Sequence, residues 1–212
     1  MRIGTWNMAG RWDGRHLGLV NAADCDVWLF TEVHERVEVQ GFERHLSAGV
    51  MAPKRRWAGV YSRLPITAWA DPHVASAAAA VDGTAYCSSI LPWRSCGGPP
   101  TWPGDRHVGK TATAVEQLLR QLPRDGLVWG GDWNHALSGA EYAGSKGGRA
   151  YIAAAVERLG LKVPTANLLH QIEGLLSIDH IAVASNREVV EARRLPAKGL
   201  SDHDCYTVEV SD

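Results

Sequence analysis

Five short polar clusters break into otherwise apolar stretches of the chain. They are Thr5-Trp6-Asn7-Met8-Ala9-Gly10, Thr31-Glu32-Val33, Gly131-Asp132-Trp133-Asn134, Ser177-Ile178-Asp179-His180 and Ser201-Asp202-His203. Each sets an amide, a carboxylate or an imidazole beside a hydrophobic run, where a strand ends and its side chains can face a shared cleft. A carboxylate buried there is costly unless a metal, a cation or hydrogen bonds compensate it. Several carboxylates so placed imply a shared cation, and a set of Asn, Asp and Glu without a Cys-His grouping favours Mg²⁺ or Mn²⁺ over zinc. Asp132 and Asn134 lie two residues apart, so an extended strand would send both to one face. Taken singly, each cluster has an ordinary reading. Asn7 serves as a strand-end cap, Glu32 as a core carboxylate paired with an arginine, Asp132 and Asn134 as a turn closed on its own backbone, and Asp202-His203 as an exposed loop. The joint pattern, in order along the chain, favours the chemical reading.

That ordered set resembles the endonuclease/exonuclease/phosphatase superfamily, with its N-terminal "WN", a strand ending in Glu, "GDxN", "IDH/IDY" and a C-terminal "SDH". Here they stand as TWNMAG at 5–10, LFTEV at 29–33, GGDWN at 130–134, SIDHI at 177–181 and LSDHD at 200–204, with WAGVYSRLPI at 57–66 matching a further strand pair. The resemblance implies an α/β (α+β) fold of DNase I type: a four-layered sandwich of two mixed, mainly antiparallel sheets flanked by helices. It implies that Asn7, Glu32 and Asp202 bind the metal and that Asp132 orients or deprotonates the attacking water. Asn134 would hydrogen-bond the phosphate, and His203 would stabilise the transition state with its ring held by Asp179. These roles suit the reaction, because charge developing on phosphoryl oxygens must be neutralised by donors and a metal.

One departure stands out. Many members of the superfamily carry a second His or a Tyr at the end of the strand matching Thr84–Leu91, where this chain has Ile90 and Leu91. Trp93 or Arg94 just beyond are candidate substitutes. Arg55, within Lys54-Arg55-Arg56, and Arg63 are further candidate phosphate contacts, with solvated loop arginines as the alternative. Nine tryptophans imply core packing for most; Trp93 and Trp102, in a Gly/Pro-rich stretch, are expected to be exposed and available to stack on bases. His180 is expected to face away from Asp179 and to be structural.

The positioning elements follow from periodicity. Strands are expected at Arg2–Met8, Asp26–Val33, Trp57–Arg63 and Pro65–Ala70, the last two joined by a tight turn. Val74–Val81 and Thr84–Leu91 flank Asp82-Gly83, a hairpin signal. Helices are expected at His16–Asp24, Val108–Leu122 and Gly148–Leu159, a strand at Gly126–Trp129, and closing strands at Ser177–Ala184, Glu188–Leu195 and Tyr206–Val210. The segment Ser95–Gly104 reads as a surface loop.

The 212 residues suit one domain spanning 1–212. The net charge of −1 argues against a broad basic surface for nucleic acid, without bearing on an enzyme that grips one phosphate. Cys25, Cys87, Cys96 and Cys205 have no CxxC spacing and read as reduced, buried residues. The chain runs straight into strand-like sequence and holds no stretch of roughly 18 apolar residues. A soluble, cytoplasmic monomer without a membrane partner is expected. The leading reading is a Mg²⁺- or Mn²⁺-dependent nuclease acting on DNA or RNA. The alternatives are a phosphatase or phosphodiesterase on a small phosphorylated molecule, and an inactive binding member of the fold.

Overall fold

The computed structural model describes residues 1–211. Strand β1 (Arg2–Asn7) leads to helix α1 (Gly14–Ala23), capped by Asp13, whose carboxylate accepts the Arg15 and His16 N–H groups at 2.9 and 3.2 Å. Then come β2 (Val27–His34), β3 (Glu43–Leu46), β4 (Val50–Ala52) and β5 (Arg55–Ser62). The second half of the fold opens with β6 (Ile66–Ala68), β7 (Ser76–Val81) and β8 (Thr84–Ser89), followed by α2 (His107–Gln121), β9 (Leu127–Asp132) and α3 (Lys146–Arg158). It closes with β10 (Leu161–Lys162), β11 (Asp179–Ala184), β12 (Val189–Leu195) and β13 (Cys205–Val210).

Two mixed sheets result. The first has the order β12-β13-β1-β2-β5-β3, with β4 also on β5; only its β1–β2 pairing is parallel. The second runs β10-β11-β9-β8-β7-β6, with β8–β9 its parallel pair. The sheets face each other across Ile3, Leu29, Val60, Val128, Ile181 and Val208, all buried. Helix α1 covers the outer face of the first sheet through Val20 and Ala23 against Trp28 and Phe30. Helices α2 and α3 cover the second through Leu118 and Ile152 against Trp129 and Trp133. This is the α+β, four-layered arrangement expected from the sequence.

The Asp82-Gly83 turn is present, with φ of 47° and 73° at its centre as the hairpin geometry requires. The turn after Ser62 is different from expectation. Strands β5 and β6 do not pair: β6 belongs to the second sheet, so Arg63-Leu64-Pro65 is a crossover between layers rather than a hairpin turn. Strands β3, β4 and β10 were not expected. All four cysteines are buried and free. No helix among the described residues is long and apolar enough to cross a membrane.

Candidate active site

The polar clusters converge at one end of both sheets. Asn7 ends β1, Asp132 ends β9, and Asp179, which opens the antiparallel β11, pairs in register with Asp132. Glu32 lies within β2 at φ 50°, a left-handed conformation unusual for a non-glycine residue. The pairing of β2 with β5 skips it, passing from Thr31 to Val33. Its carboxylate thereby joins Asn7, whose Nδ2 donates to Glu32 Oε1 at 3.2 Å and to Asp132 Oδ2 at 2.9 Å. One amide thus bridges carboxylates on two sheets. Arg55 donates to the other Glu32 oxygen at 2.8 Å. Gly10 makes that arginine's position possible, since a Cβ there would lie 2.2 Å from Arg55 Nε.

The GGDWN sequence has a steric explanation. Gly131 has φ 118°, and a Cβ on it would stand 2.3 Å from the Ser89 carbonyl oxygen. At Gly130 a Cβ would collide with the His180 carbonyl at 2.6 Å. Beyond Asp132 the chain turns instead of continuing extended: Asn134 has φ 55°, and its N–H donates to Asp132 Oδ1 at 3.0 Å. The expectation that strand alternation aligns Asp132 and Asn134 is therefore corrected. Both reach the same cleft, but through an Asx-type turn. One Asn134 amide N–H is held by the Leu91 carbonyl at 3.0 Å, which leaves the second to offer.

His203 Nδ1 pairs with Asp179 Oδ2 at 2.7 Å, and its Nε2 stands 4.0 Å from Asp132 Oδ2. Ser201 anchors this segment, its hydroxyl donating to the Asn7 carbonyl at 2.7 Å while accepting the His203 N–H at 3.2 Å. His170, from the loop before β11, meets the His203 ring edge-on at 6.2 Å between centroids. Burial alone would depress the His203 imidazole, but the carboxylates of Asp179, Asp132 and Asp202 outweigh it and lift the group to about 10. Burial raises Asp132, partly offset by His203, and raises Glu32, an effect the Asp132 charge reinforces and Asn7 and Arg55 oppose. His203 therefore stays an imidazolium at neutral pH, set between the Asp179 carboxyl and that of Asp132, which burial lifts to about 7.

A cleft of about 150 Å³ is lined by Glu32, Ile90, Trp93, Asp132, Asn134 and His203. The donor chemistry suits a hard divalent cation: like-charged carboxylates sit together in partial burial, and each repels its neighbour unless a cation compensates. Ligand atoms of Asp132, Asp179 and His203 lie within 4.8 Å of one another. A protonated His203 already bonded to Asp179 is a poor metal ligand, so the Glu32 and Asp132 carboxylates are the better pair to hold an ion.

The other expected residues fall in different places. Asn7 turns its oxygen away from the carboxylates: Oδ1 accepts the Ala9 N–H at 2.9 Å, which fixes the amide as a donor in the site. Asp202 is exposed beside His203 and does not line the cleft. Arg63 is distant, tied to Asp24 at 2.6 Å at the opposite end of β2. Arg94 is exposed and spends its Nε on the Gly144 carbonyl. Trp102 is buried at 1% exposure, stacked on His73 at 5.0 Å, and is unavailable to any base. His180 is buried, its Nε2 2.9 Å from the His135 carbonyl and its ring against Trp133, away from the contacts that Asp179 makes. Of the two residues where the superfamily's second histidine is expected, Ile90 lines the cleft. Ser201 stands in the sequence only as the first residue of the Ser201-Asp202-His203 cluster, with no role assigned, and no sequence feature distinguishes His170.

The sequence pattern of the endonuclease/exonuclease/phosphatase family matches residues 4–203. The chain belongs to this family. Its members are phosphoesterase hydrolases, typically dependent on a divalent metal. Solved structures share the DNase I-like fold at low sequence identity. An AP endonuclease from Leishmania major superposes with a TM-score of 0.72 at 13% identity, covering 98% of this chain and 86% of that one. An endonuclease/exonuclease/phosphatase protein from Beutenbergia cavernae gives 0.71 at 15%, covering 99% and 71%. The endonuclease domain of TRAS1, a telomere-specific non-LTR retrotransposon, gives 0.70 at 14%, covering 99% and 97%. No curated protein matches the sequence significantly.

Proposed function

We propose that this chain is a nuclease that hydrolyses phosphodiester bonds by in-line attack of water, with Mg²⁺ or Mn²⁺ held by the Glu32 and Asp132 carboxylates and Asp202 at the rim. The observation that carries this is the cross-sheet Glu32–Asn7–Asp132 bridge beside the His203–Asp179 pair. The cation supplies charge neutralisation for the phosphoryl oxygens. Asp132, fixed by the Asn7 amide and the Asn134 N–H, is placed to orient the attacking water. His203 holds its proton on Nε2 for an oxygen of the scissile phosphate, while Asp179 fixes the ring through Nδ1. The free N–H of Asn134 is a second donor to the same phosphate. Arg55, already neutralising Glu32, steadies the cation side of the cleft.

Two of the similar folds are described as endonucleases, which supports nucleic acid as the substrate. The small cleft supports the second reading, a phosphodiesterase on a small phosphate ester. Plasmid DNA, single-stranded DNA and RNA, each with Mg²⁺ or Mn²⁺ and with chelator, provide the test. Cleavage that stops with chelator and returns with metal is expected. Turnover of a small ester alone would favour the second reading. No turnover of even an activated aryl phosphodiester would leave an inactive binding protein.

A further inference from the structure

Once Glu32, Asp132, Asn134 and His203 have their tasks, two cleft residues remain, Ile90 and Trp93. Ile90 is apolar, and Trp93 offers a phosphate only its indole N–H, since the ring face carries negative charge density that repels an anion. Yet Trp93 is half-buried at the cleft and its backbone is locked. Ile90 N–H donates to the Ala75 carbonyl and Leu91 N–H to the Asp132 carbonyl, both at 2.9 Å. The Pro92 carbonyl lies 3.0 Å from His107 Nε2, and the Trp93 carbonyl accepts the Cys96 N–H at 3.0 Å. Arg94 N–H donates to the Ala143 carbonyl at 2.9 Å. The indole itself packs edge-on against buried Trp102 at 6.4 Å between centroids, and Trp102 in turn packs edge-on against Trp57 at 5.7 Å. Such a fixed ring loses little entropy on binding, which is the requirement for a stacking platform.

Resting on the phosphodiesterase reading above, we infer that Trp93 is a specificity residue that receives a planar ring attached to the scissile phosphate, and that this ring is an unpaired nucleobase or an equivalent aryl group. The cleft of about 150 Å³ has room for a phosphoryl group and a single ring, well short of the roughly 300–1,000 Å³ of pockets for larger ligands. A base that stacks on Trp93 must leave its neighbours in the strand, which costs more when it is also paired in a duplex. The preferred substrates are therefore single strands, frayed ends or mononucleoside esters, with intact duplex disfavoured.

Two measurements test this. The first is kcat/KM on a single-stranded oligonucleotide, on the same strand lacking the base beside the cut, and on its duplex. Wild type is expected to prefer the base-bearing single strand. In Trp93→Ala that preference shrinks roughly ten- to hundredfold through KM, and Trp93→Phe restores most of it. The second is the affinity of the same oligonucleotides with divalent metal removed, read by fluorescence anisotropy, with circular dichroism confirming that the variants fold. Equal affinity for base-bearing and abasic strands in wild type, or a discrimination that Trp93→Ala does not alter, overturns the assignment of Trp93. If wild type shows base-dependent binding but cleaves no phosphodiester, the hydrolytic reading fails while the stacking site stands.

Discussion

Asn7 on the first sheet donates its side-chain amide to Asp132 on the second at 2.9 Å, and the same nitrogen reaches Glu32 at 3.2 Å. The two sheets are joined at this end by a group that also sets the spacing of two acidic residues. Removing it leaves buried carboxylate oxygens without a donor, at a cost of about 1–3 kcal/mol. Asn7→Ala is therefore expected to lower the urea midpoint by that equivalent and to weaken Mn²⁺ binding in calorimetry. Asn7→Asp keeps the shape but adds a third negative charge. It is expected to destabilise the metal-free protein further and to recover when Mn²⁺ is added. A metal-free protein unaffected by either change would remove the bridge from the account.

The 2.7 Å pairing of His203 with Asp179 makes a second prediction. A charge-bearing donor to the developing oxyanion is worth about 10²–10³ in rate. His203→Ala is expected to lose that much kcat while retaining its circular dichroism. Asp179→Asn keeps the volume but loses the charge that lifts His203, so the imidazole's raised pKa falls. A smaller kcat loss is expected, along with a shift of the alkaline limb of the pH–rate profile to lower pH. An unshifted limb would mean that Asp179 merely packs against the ring.

Part of this arrangement was legible before any coordinates. Asn7, Glu32, Asp132, Asp179 and His203 betray themselves because a polar group at the end of an apolar strand is expensive and needs a reason. What stayed hidden required knowledge of pairing across the chain. Arg63 reads as a free cation until β2 and β5 are in register, which sets it beside Asp24 and Asp26. Trp102 reads as exposed because glycine and proline surround it; only the tertiary fold lays it against Trp57 and His73. Strands β3 and β4 carry no alternating pattern because both lie on β5 with side chains that are exposed or half-buried and none fully buried.

Gly131 supplies a third prediction. Its φ of 118° is costly for any L side chain, and the nearest atom to a new Cβ would be backbone, the Ser89 carbonyl oxygen at 2.3 Å. Neither β8 nor β9 can yield easily, since they pair with each other along their lengths. Gly131→Ala is expected to cost at least about 3 kcal/mol and to abolish turnover by displacing Asp132. Gly83→Ala is the control: at φ 73° but with nothing within 4 Å of the new Cβ, it should cost only about 1–2 kcal/mol. Chemical denaturation of both variants distinguishes steric collision from conformational preference alone.

His73 provides a pH test well removed from the acidic cluster. Its ring is buried at 3% exposure, stacked on Trp102, and its Nδ1 accepts the Ala75 N–H at 3.0 Å, so the neutral form is the one that fits. Burial pulls its pKa down to about 4, against about 6.5 in the unfolded chain. With the folded value depressed, the unfolded chain binds the extra proton first. Stability is whole above about pH 6.5 and is lost progressively as pH falls toward 4. By pH 5 the loss from this residue amounts to about 2 kcal/mol. His73→Phe keeps the aromatic stack and cannot take the proton. At pH 7.5 it should be less stable than wild type by about 1 kcal/mol, the value of the lost hydrogen bond. Near pH 5 the order should invert. Urea midpoints of the two proteins measured side by side between pH 7.5 and 5 isolate the contribution of His73, because every other titrating group is common to both. A gap that stays constant over that range would mean that His73 opens to solvent and titrates normally.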